Sequence, residues 1–407
     1  MRSQERSIRL LVLLLSISVG ALGVATTRAD APTGDAETAV SSFDASKNEY
    51  LAHAQTIAVF DAPGAGTGFL QGTVGLGITP AGAIAGADID ANNVVHGFIR
   101  APWGAFTSFD APGAGTVPGV PGCTESCQGT IPWGINPAGE ITGQYMDANN
   151  VVHGFVRSAN GAITTYDVPA AGTGPGQGTY GESINPTGEI TGEYSDASSV
   201  WHGFIRFRDR AIIVFDAPGA GTGPGQGTLV ATFSGITPAG EITGYYFDGS
   251  NVAHGYVRAP DGAIATFDAP NAGTGALEGT YAISINPQGK VAAYYADASG
   301  VDHGYLRAPD GTITTFDAPG AGTGSSEGTL PANINPRGEI AGSYVDSSGV
   351  SHGFRRAHHD TITSFDAPGA GTGSGQGTFP FSNNPAGTIT GWEIDASGVF
   401  HGFLRNP

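Results

Sequence analysis

The sequence predicts an all-β fold: a seven-bladed β-propeller of four-stranded antiparallel blades, closed by an N-terminal strand at residues 56–62 that joins the last blade. Three observations lead to this prediction. The 407 residues include 66 Gly and 26 Pro, which is typical of chains with many turns and short elements. One unit of about 49 residues recurs seven times. The chain ends in HGFLRNP, half-way through such a unit.

Two signatures mark the repeat. The first is His-Gly-Phe/Tyr, and its histidines are His96, His153, His202, His254, His303, His352 and His401. The second is an Asp after Phe or Tyr, and these aspartates are Asp61, Asp110, Asp167, Asp216, Asp268, Asp317 and Asp366. The spacing is 49 residues except where insertions follow Thr116 and Thr228.

Each unit contains four short runs with the character of β-strands. In residues 177–216 these runs are QGTYGESIN, EITGEYSD, VWHGFIRF and AIIVFD, and the turns between them are rich in Pro, Gly, Asp and Ser. Four runs joined by hairpins form one antiparallel sheet, and the Gly-rich stretch APGAGTGPGQGT leads to the next unit. A four-stranded unit of this length is typical of a propeller blade.

The chain ends are out of phase with the repeat. Seven units carry the first three strands, but only six are followed by their own fourth strand. The stretch TIAVFDAP at residues 56–63 has the sequence of the missing strand. We therefore expect it to form the outermost strand of the last blade, which would protect exposed sheet edges. An open β-solenoid, which would not need this match, is the alternative.

The hairpin between the third and fourth strands predicts a side-chain contact. If Pro260, Asp261 and Gly262 form its turn, His254 lies opposite Asp268, 14 residues along the chain. The same offset predicts a His–Asp pair in every unit, with His401 and Asp61 joined at the closure. Because a residue present in every unit serves the unit rather than one substrate, we expect structural pairs, without catalytic or metal-binding roles.

The repeat resembles the HAF-family extracellular repeat proteins of bacteria. The resemblance rests on INPxGEITG, the Asp-rich turn after it and the His-small-Phe signature, and it covers residues 56–407. The middle residue is Gly here, as in His153-Gly154-Phe155, where the family name has Ala. The resemblance implies export and a repeat-built β architecture. It implies no settled activity and therefore no catalytic residues.

Residues 1–29 are typical of a signal peptide, because arginines precede an apolar run and small residues flank Arg28. A membrane anchor is the alternative, although the run is short for a span. Residues 30–55 are expected to be a linker, and residues 56–407 the propeller. We expect a periplasmic or extracellular monomer without membrane insertion. Its formal net charge of −19 disfavours nucleic acid and anionic lipid as partners.

No cofactor is predicted. Cys123 and Cys127 lie four positions apart in an insertion, and in an oxidising compartment they are expected to form a small loop disulfide. Asp88, Asp90 and Asn92 have the alternating oxygens of some calcium loops, but the Gly and the distal Glu of such loops are missing, and Asp and Asn in a hairpin turn usually serve turn geometry. The string GAGTGPG resembles a dinucleotide fingerprint, yet strands rather than a helix follow it, which disfavours a nucleotide site.

The candidate binding residues lie where the copies differ, at the start of the first strand. We expect them to ring one mouth of a central channel, where aromatic rings could stack on sugars or grip a peptide. Filling of a narrow channel is the alternative. These residues are Trp133, Tyr180, Glu182, Phe233, Tyr281, Phe379 and Phe381. A Gln or Glu before each first strand could link blades or face a ligand.

The sequence thus predicts an exported, non-catalytic protein that binds or scaffolds an extracellular glycan or protein at the channel face. The competing class is a secreted hydrolase or lyase acting on a polysaccharide or related polymer, for which titratable groups around Glu182 would be evidence. A cell-surface structural protein without a small ligand is a third possibility. Fold alone does not distinguish them.

Overall fold

The computed structural model describes residues 56–119, 127–232 and 234–407, and the regular elements there are all β-strands. The predicted signal peptide and linker lie outside these residues. The first strand, β1, is Ile57–Phe60. Unit 1 comprises β2 (Gly72–Ile78), β3 (Ile84–Ile89), β4 (Val95–Arg100) and β5 (Phe106–Phe109). Unit 2 comprises β6 (Gly129–Ile135), β7 (Ile141–Met146), β8 (Val152–Arg157) and β9 (Ile163–Tyr166).

The later units repeat this order. Unit 3 comprises β10 (Gly178–Ile184), β11 (Ile190–Ser195), β12 (Trp201–Arg206) and β13 (Ile212–Phe215). Unit 4 comprises β14 (Gly227–Val230), β15 (Ile242–Phe247), β16 (Ala253–Arg258) and β17 (Ile264–Phe267). Unit 5 comprises β18 (Gly279–Ile285), β19 (Val291–Ala296), β20 (Asp302–Arg307) and β21 (Ile313–Phe316). Unit 6 comprises β22 (Gly328–Ile334), β23 (Ile340–Val345), β24 (Ser351–Arg356) and β25 (Ile362–Phe365). Unit 7 comprises β26 (Gly377–Asn383), β27 (Ile389–Ile394) and β28 (Phe400–Arg405).

The prediction of a seven-bladed propeller of separate four-stranded blades is wrong. The third strand of each unit also pairs in parallel with the first strand of the next, as at Trp201↔Gly227. On the same edge, residues Gly203 to Arg206 of β12 pair with β13, so one strand serves both neighbours. The first three strands of all units therefore form a closed 21-strand barrel within a 28-stranded sheet, and the short fourth strands attach outside.

The physical reason is a glycine at the start of each first strand. Gly227 has a φ of 114°, and a Cβ on it would lie 2.0 Å from the carbonyl oxygen of Trp201. Only Gly permits this approach and this backbone conformation. In the sequence these glycines belong to the Gly-rich connection between units, which gives no sign of a hydrogen-bonded contact.

The two ends of the described chain meet in one sheet. β1 pairs antiparallel with β28, from Ile57↔Arg405 to Phe60↔Gly402. The predicted pairing of the chain ends is therefore confirmed, although the sheet that it completes differs from the expected one. Gly72 of β2 also pairs with Phe400 of β28, so the barrel itself is closed at the same place.

Aromatic and guanidinium groups pack successive units together. The Phe or Tyr of each His-Gly-Phe/Tyr signature is fully buried, as Phe204 is, and Phe204 lies 6.1 Å from Tyr166 of the preceding unit. The Arg that ends each third strand stacks on the same ring at 4.6–5.0 Å, as Arg206 does on Tyr166. Such contacts combine apolar burial with cation–π attraction. The seventh contact, Arg100 on Phe60, joins unit 1 to the N-terminal strand.

The Asn of the INP motif links neighbouring units near the centre. Asn136 Nδ2 donates to the carbonyl of Asn185, 3.2 Å away, while its Oδ1 accepts from the backbone of its own turn. Asn384 donates to the carbonyl of Thr79 and so extends the series across the closure. Buried polar groups are stable only when bonded in this way. Asn185, Asn286 and Asn335 make the same inter-unit bond.

We predict that Phe60→Ala destabilises the protein by about 2–3 kcal/mol, because it removes the ring that packs on Arg100 and Phe106 at the closure. Urea unfolding of the purified protein measures this change. The control is Val59→Ala on the same strand, whose exposed side chain should contribute less than about 0.5 kcal/mol. Equal effects of the two substitutions would contradict this account of the closure.

Candidate functional site

The structure brings every predicted His–Asp pair into contact. Each Nδ1 lies 2.8–3.0 Å from a carboxylate oxygen of its Asp, and His401 with Asp61 does so at 2.9 Å across the closure. The same geometry recurs in all seven units. It therefore supplies support between the third and fourth strands and singles out no unit as a reaction centre.

Sequence reasoning missed a second carboxylate at each histidine. The Asp that opens the turn between the second and third strands lies 3.4–3.8 Å from Nε2, as Asp248 does at His254. Oδ1 of Asp248 accepts hydrogen bonds from the backbone of Ser250 and Val252. Burial opposes ionisation, but these bonds outweigh it and lower the pKa of Asp248. The turn aspartates thus already accept hydrogen bonds from the backbone of their turns and lie against a histidine. Among residues 56–119, 127–232 and 234–407, no cluster of three or more His, Cys, Asp or Glu could hold a metal ion.

Two units break this symmetry. In units 2 to 6 a Tyr of the second strand lies opposite the His, and its ring stacks on the imidazole with 4.9–5.0 Å between ring centroids. Unit 1 has Asp88 and unit 7 has Glu393 in its place, opposite His96 and His401. Burial raises the pKa of Asp88 to about 6 and that of Glu393 to about 7. These two units adjoin each other at the closure of the barrel.

The predicted channel-mouth residues do not form an open ring. Trp133, Tyr281, Phe379 and Phe381 are buried, and so is Glu182. Their rings pack on one another or on the second strands, as Phe379 does on Trp392 at 5.8 Å and Tyr281 on Tyr294 at 4.8 Å. Tyr180 is half-buried against Trp201. Phe233 lies outside the described residues, as does Cys123 with the predicted disulfide to Cys127.

The insertion of unit 4 crosses the interior of the barrel. Ser234 accepts a hydrogen bond from Asn333 Nδ2 at its Oγ and one from Ile285 N at its carbonyl. Gly235 N donates to Ser183 Oγ, 2.9 Å away. One loop thus bonds to units 3, 5 and 6. These contacts and the buried aromatic rings fill the region where a channel ligand was expected.

The Gln or Glu before each first strand has a structural role. Oε1 of Gln177 accepts from the backbone of Gly174, and Nε2 donates to the carbonyl of Ala197. The side chain therefore ties the Gly-rich connection to a turn of the unit that follows. The corresponding residues are Gln71, Gln128, Gln226, Glu278, Glu327 and Gln376.

A groove of about 660 Å³ opens at the outer rim between units 2 and 3. One wall is the end of β9 and the connection after it, and it consists of Thr164, Thr165, Tyr166, Asp167, Val168, Pro169 and Ala170. The other wall includes Ile212 and Val214 of β13. Val214 is 49% exposed, although most of the fourth strands have Thr or Ser at that position. The groove therefore combines a few polar groups with apolar side chains contributed by both units.

Guanidinium groups lie at one end of this groove. Arg206, which is 7% exposed, lies on the Tyr166 ring at 4.8 Å, and Arg210 lines the groove four residues later. Arg210 has a φ of 74°, a left-handed conformation that costs a residue with a Cβ about 1 kcal/mol more than Gly. Units 1, 2, 4 and 5 have Gly at this position: Gly104, Gly161, Gly262 and Gly311.

This groove is also where the repeat departs from its own pattern. Tyr166 replaces a Phe, Val168 replaces an Ala, and Arg210 replaces a Gly found in most units. Sequence reasoning missed the groove because it is built by two units and no single motif contains it. The sequence does show that three residues between Tyr166 and Arg210 differ from those of most other units, and this could have indicated the groove.

Comparisons with known proteins bear on the fold. No family model matches the sequence, and no curated protein matches it. Among solved structures, a lectin from Burkholderia pseudomallei is similar with a TM-score of 0.51 at 9% identity, over 82% of this chain and 96% of that one. A puromycin hydrolase is similar with a TM-score of 0.50 at 13% identity, over 79% of this chain and 50% of that one. The match therefore spans about half the length of the hydrolase.

A third similar structure is the six-bladed β-propeller lectin of Aleuria aurantia, at 12% identity over 76% of this chain and 94% of that one. Its TM-score of 0.41 supports no further comparison. At these identities the likeness concerns the fold alone. The comparisons thus support a closed, propeller-like repeat fold. Within the described residues, no helix is long and apolar enough to cross a membrane.

We predict that stability falls as pH rises from about 5 to 8. A carboxyl whose folded pKa is raised stabilises the protein below its unfolded pKa, and that contribution is lost as pH rises through the folded value. At Asp88, burial raises the pKa more than His96 lowers it, and Asp110 and Asp90 raise it further. At Glu393, burial likewise outweighs the effect of His401 on the pKa, and Asp395 and Asp61 raise it further. Bonding to Asp110 raises the pKa of His96, which acts in the same direction. Urea midpoints across this range measure the effect.

The double variant Asp88→Asn, Glu393→Gln should be more stable than the parent at pH 8, by about 1–2 kcal/mol after allowance for solvent screening. It should also show a weaker dependence on pH. Asp310→Asn is the control, since that carboxyl is exposed and its pKa is lowered. A parent protein whose stability is constant or rises from pH 5 to 8 would refute the prediction.

Proposed function

We propose that this protein is an exported, non-catalytic carbohydrate-binding protein whose ligand lies in the outer groove between units 2 and 3. The observation that carries the proposal is a groove that combines apolar side chains with a few polar groups. A pyranose ring has an apolar face of C–H groups and an edge of hydroxyls, which matches apolar side chains such as Ile212 and Val214 in one groove with the Thr164 hydroxyl. The groove volume of about 660 Å³ is also in the range of small-ligand sites.

The similarity in fold to a lectin from Burkholderia pseudomallei supports the same function class. The predicted signal peptide at residues 1–29 supports an extracellular glycan as the ligand. The site differs from the channel mouth expected from the sequence, because the aromatic residues predicted there are largely buried.

The arrangement of titratable groups supports a non-catalytic role. The His–Asp pairs recur in seven units and hold strands together, and the turn aspartates are used by their turns. The proposed groove contains one carboxylate, Asp167, which already contacts His153 at 2.9 Å. Hydrolysis of a glycosidic bond ordinarily needs two carboxyl groups that flank the bond.

We predict that Thr164→Tyr blocks the groove and weakens binding of its glycan at least tenfold, because the larger ring occupies ligand space. A glycan array on residues 30–407 identifies the ligand, and calorimetry with the best oligosaccharide then compares variants. The matched control is Thr314→Tyr at the same position of β21, which should leave binding unchanged.

Two results would contradict this proposal. One is that no glycan binds, and the other is that Thr164→Tyr and Thr314→Tyr have equal effects. Release of reducing ends from the bound oligosaccharide would instead favour the hydrolase or lyase class.

A further inference from the structure

Two arginines four residues apart, Arg206 and Arg210, line the same groove. Among the residues that the structure describes, neither Arg206 nor Arg210 makes a side-chain hydrogen bond or ion pair. Burial lowers the pKa of Arg206, and the positive charge of Arg210 acts in the same direction. Their neighbour Arg208, by contrast, is bonded to Glu140 at 2.9 Å and to the carbonyl of Thr187.

Unit 6 provides an internal comparison. Arg356 is the counterpart of Arg206, and it stacks on Phe316 at 4.7 Å, as Arg206 stacks on Tyr166. Asp360 is the counterpart of Arg210, with a φ of 73° against 74°. Its carboxylate lies 2.6 Å from the Arg356 guanidinium. A residue at this position can therefore reach the buried Arg, and in unit 6 it supplies the anion.

Resting on the proposed function, we propose that the groove between units 2 and 3 takes an acidic saccharide whose carboxylate binds between Arg206 and Arg210. The ligand carboxylate would occupy the place that the Asp360 carboxylate has in unit 6. Guanidinium groups present forked N–H donors that match a carboxylate, so they fix its orientation as well as its charge. The class indicated is a uronic-acid-containing glycan.

The charge of the whole protein makes this contact selective. With a formal net charge of −19, the molecule repels anions in general, so two arginines that line one groove are a local exception. Asp167 in the same groove is engaged by His153 at 2.9 Å. Binding should therefore weaken as salt is added, and it should also require contact between the ligand and the apolar side chains of the groove.

The test compares oligogalacturonate with a neutral galacto-oligosaccharide of equal length, by calorimetry at pH 7 and low salt. We expect the parent protein to bind the acidic oligomer at least tenfold more tightly. Arg210→Gly, which restores the common residue of the repeat, should remove most of this preference. Arg210→Asp, which rebuilds the pair of unit 6, should abolish binding of the acidic oligomer. Asp360→Gly, at the equivalent position of unit 6, should change neither affinity.

The outcomes separate the two proposals. If the neutral oligomer binds as tightly as the acidic one and Thr164→Tyr prevents its binding, the inference fails while the proposed function stands. If neither oligomer nor any other glycan binds, the proposed function fails. If acetate competes as well as the acidic oligomer at equal concentration, the groove is an anion site without saccharide recognition, and the inference is overturned. Urea unfolding confirms that each variant is folded.

Discussion

The approach of each third strand to a glycine of the next unit is the contact on which the rest of the structure depends. At Gly72 a Cβ would lie 2.0 Å from the carbonyl oxygen of Phe400, so a side chain there would force the strands apart. The contact makes the sheet continuous and uses the start of the third strand, so the fourth strand pairs only with the residues after it, from Gly203 to Arg206 in unit 3. The fourth strands are consequently short and lie outside the barrel, with an unpaired outer edge.

This arrangement determines where a ligand can reach the protein. The first and second strands are almost wholly buried, and inter-unit hydrogen bonds from Asn185 and the Ser234 loop link units across the interior. Those groups are satisfied by one another and are costly to separate. The outer rim has half-exposed fourth strands and gaps between units, so variation in sequence can alter a surface there without disturbing the closure.

The sequence was sufficient for features that depend on local hairpins. Turn length fixes register, so the pairing of His254 with Asp268 and of β1 with β28 could be predicted. The continuous barrel could not, because one parallel residue pair such as Trp201↔Gly227 leaves no periodic signal. Alternation likewise could not tell whether Phe381 faces a channel or a neighbouring unit. Arg206 is marked by its repetition, but its stacking partner belongs to another unit.

In a repeated structure the exceptions are informative because the other copies serve as controls. Two units place a non-Gly residue in the left-handed position of the last hairpin. In unit 6 the conformational cost is accompanied by an ion pair between Asp360 and Arg356. In unit 3 the same cost is accompanied by repulsion between Arg210 and Arg206. Within the described residues no carboxylate pairs with Arg206 or Arg210, so an anion bound there would take the place that the Asp360 carboxylate holds in unit 6.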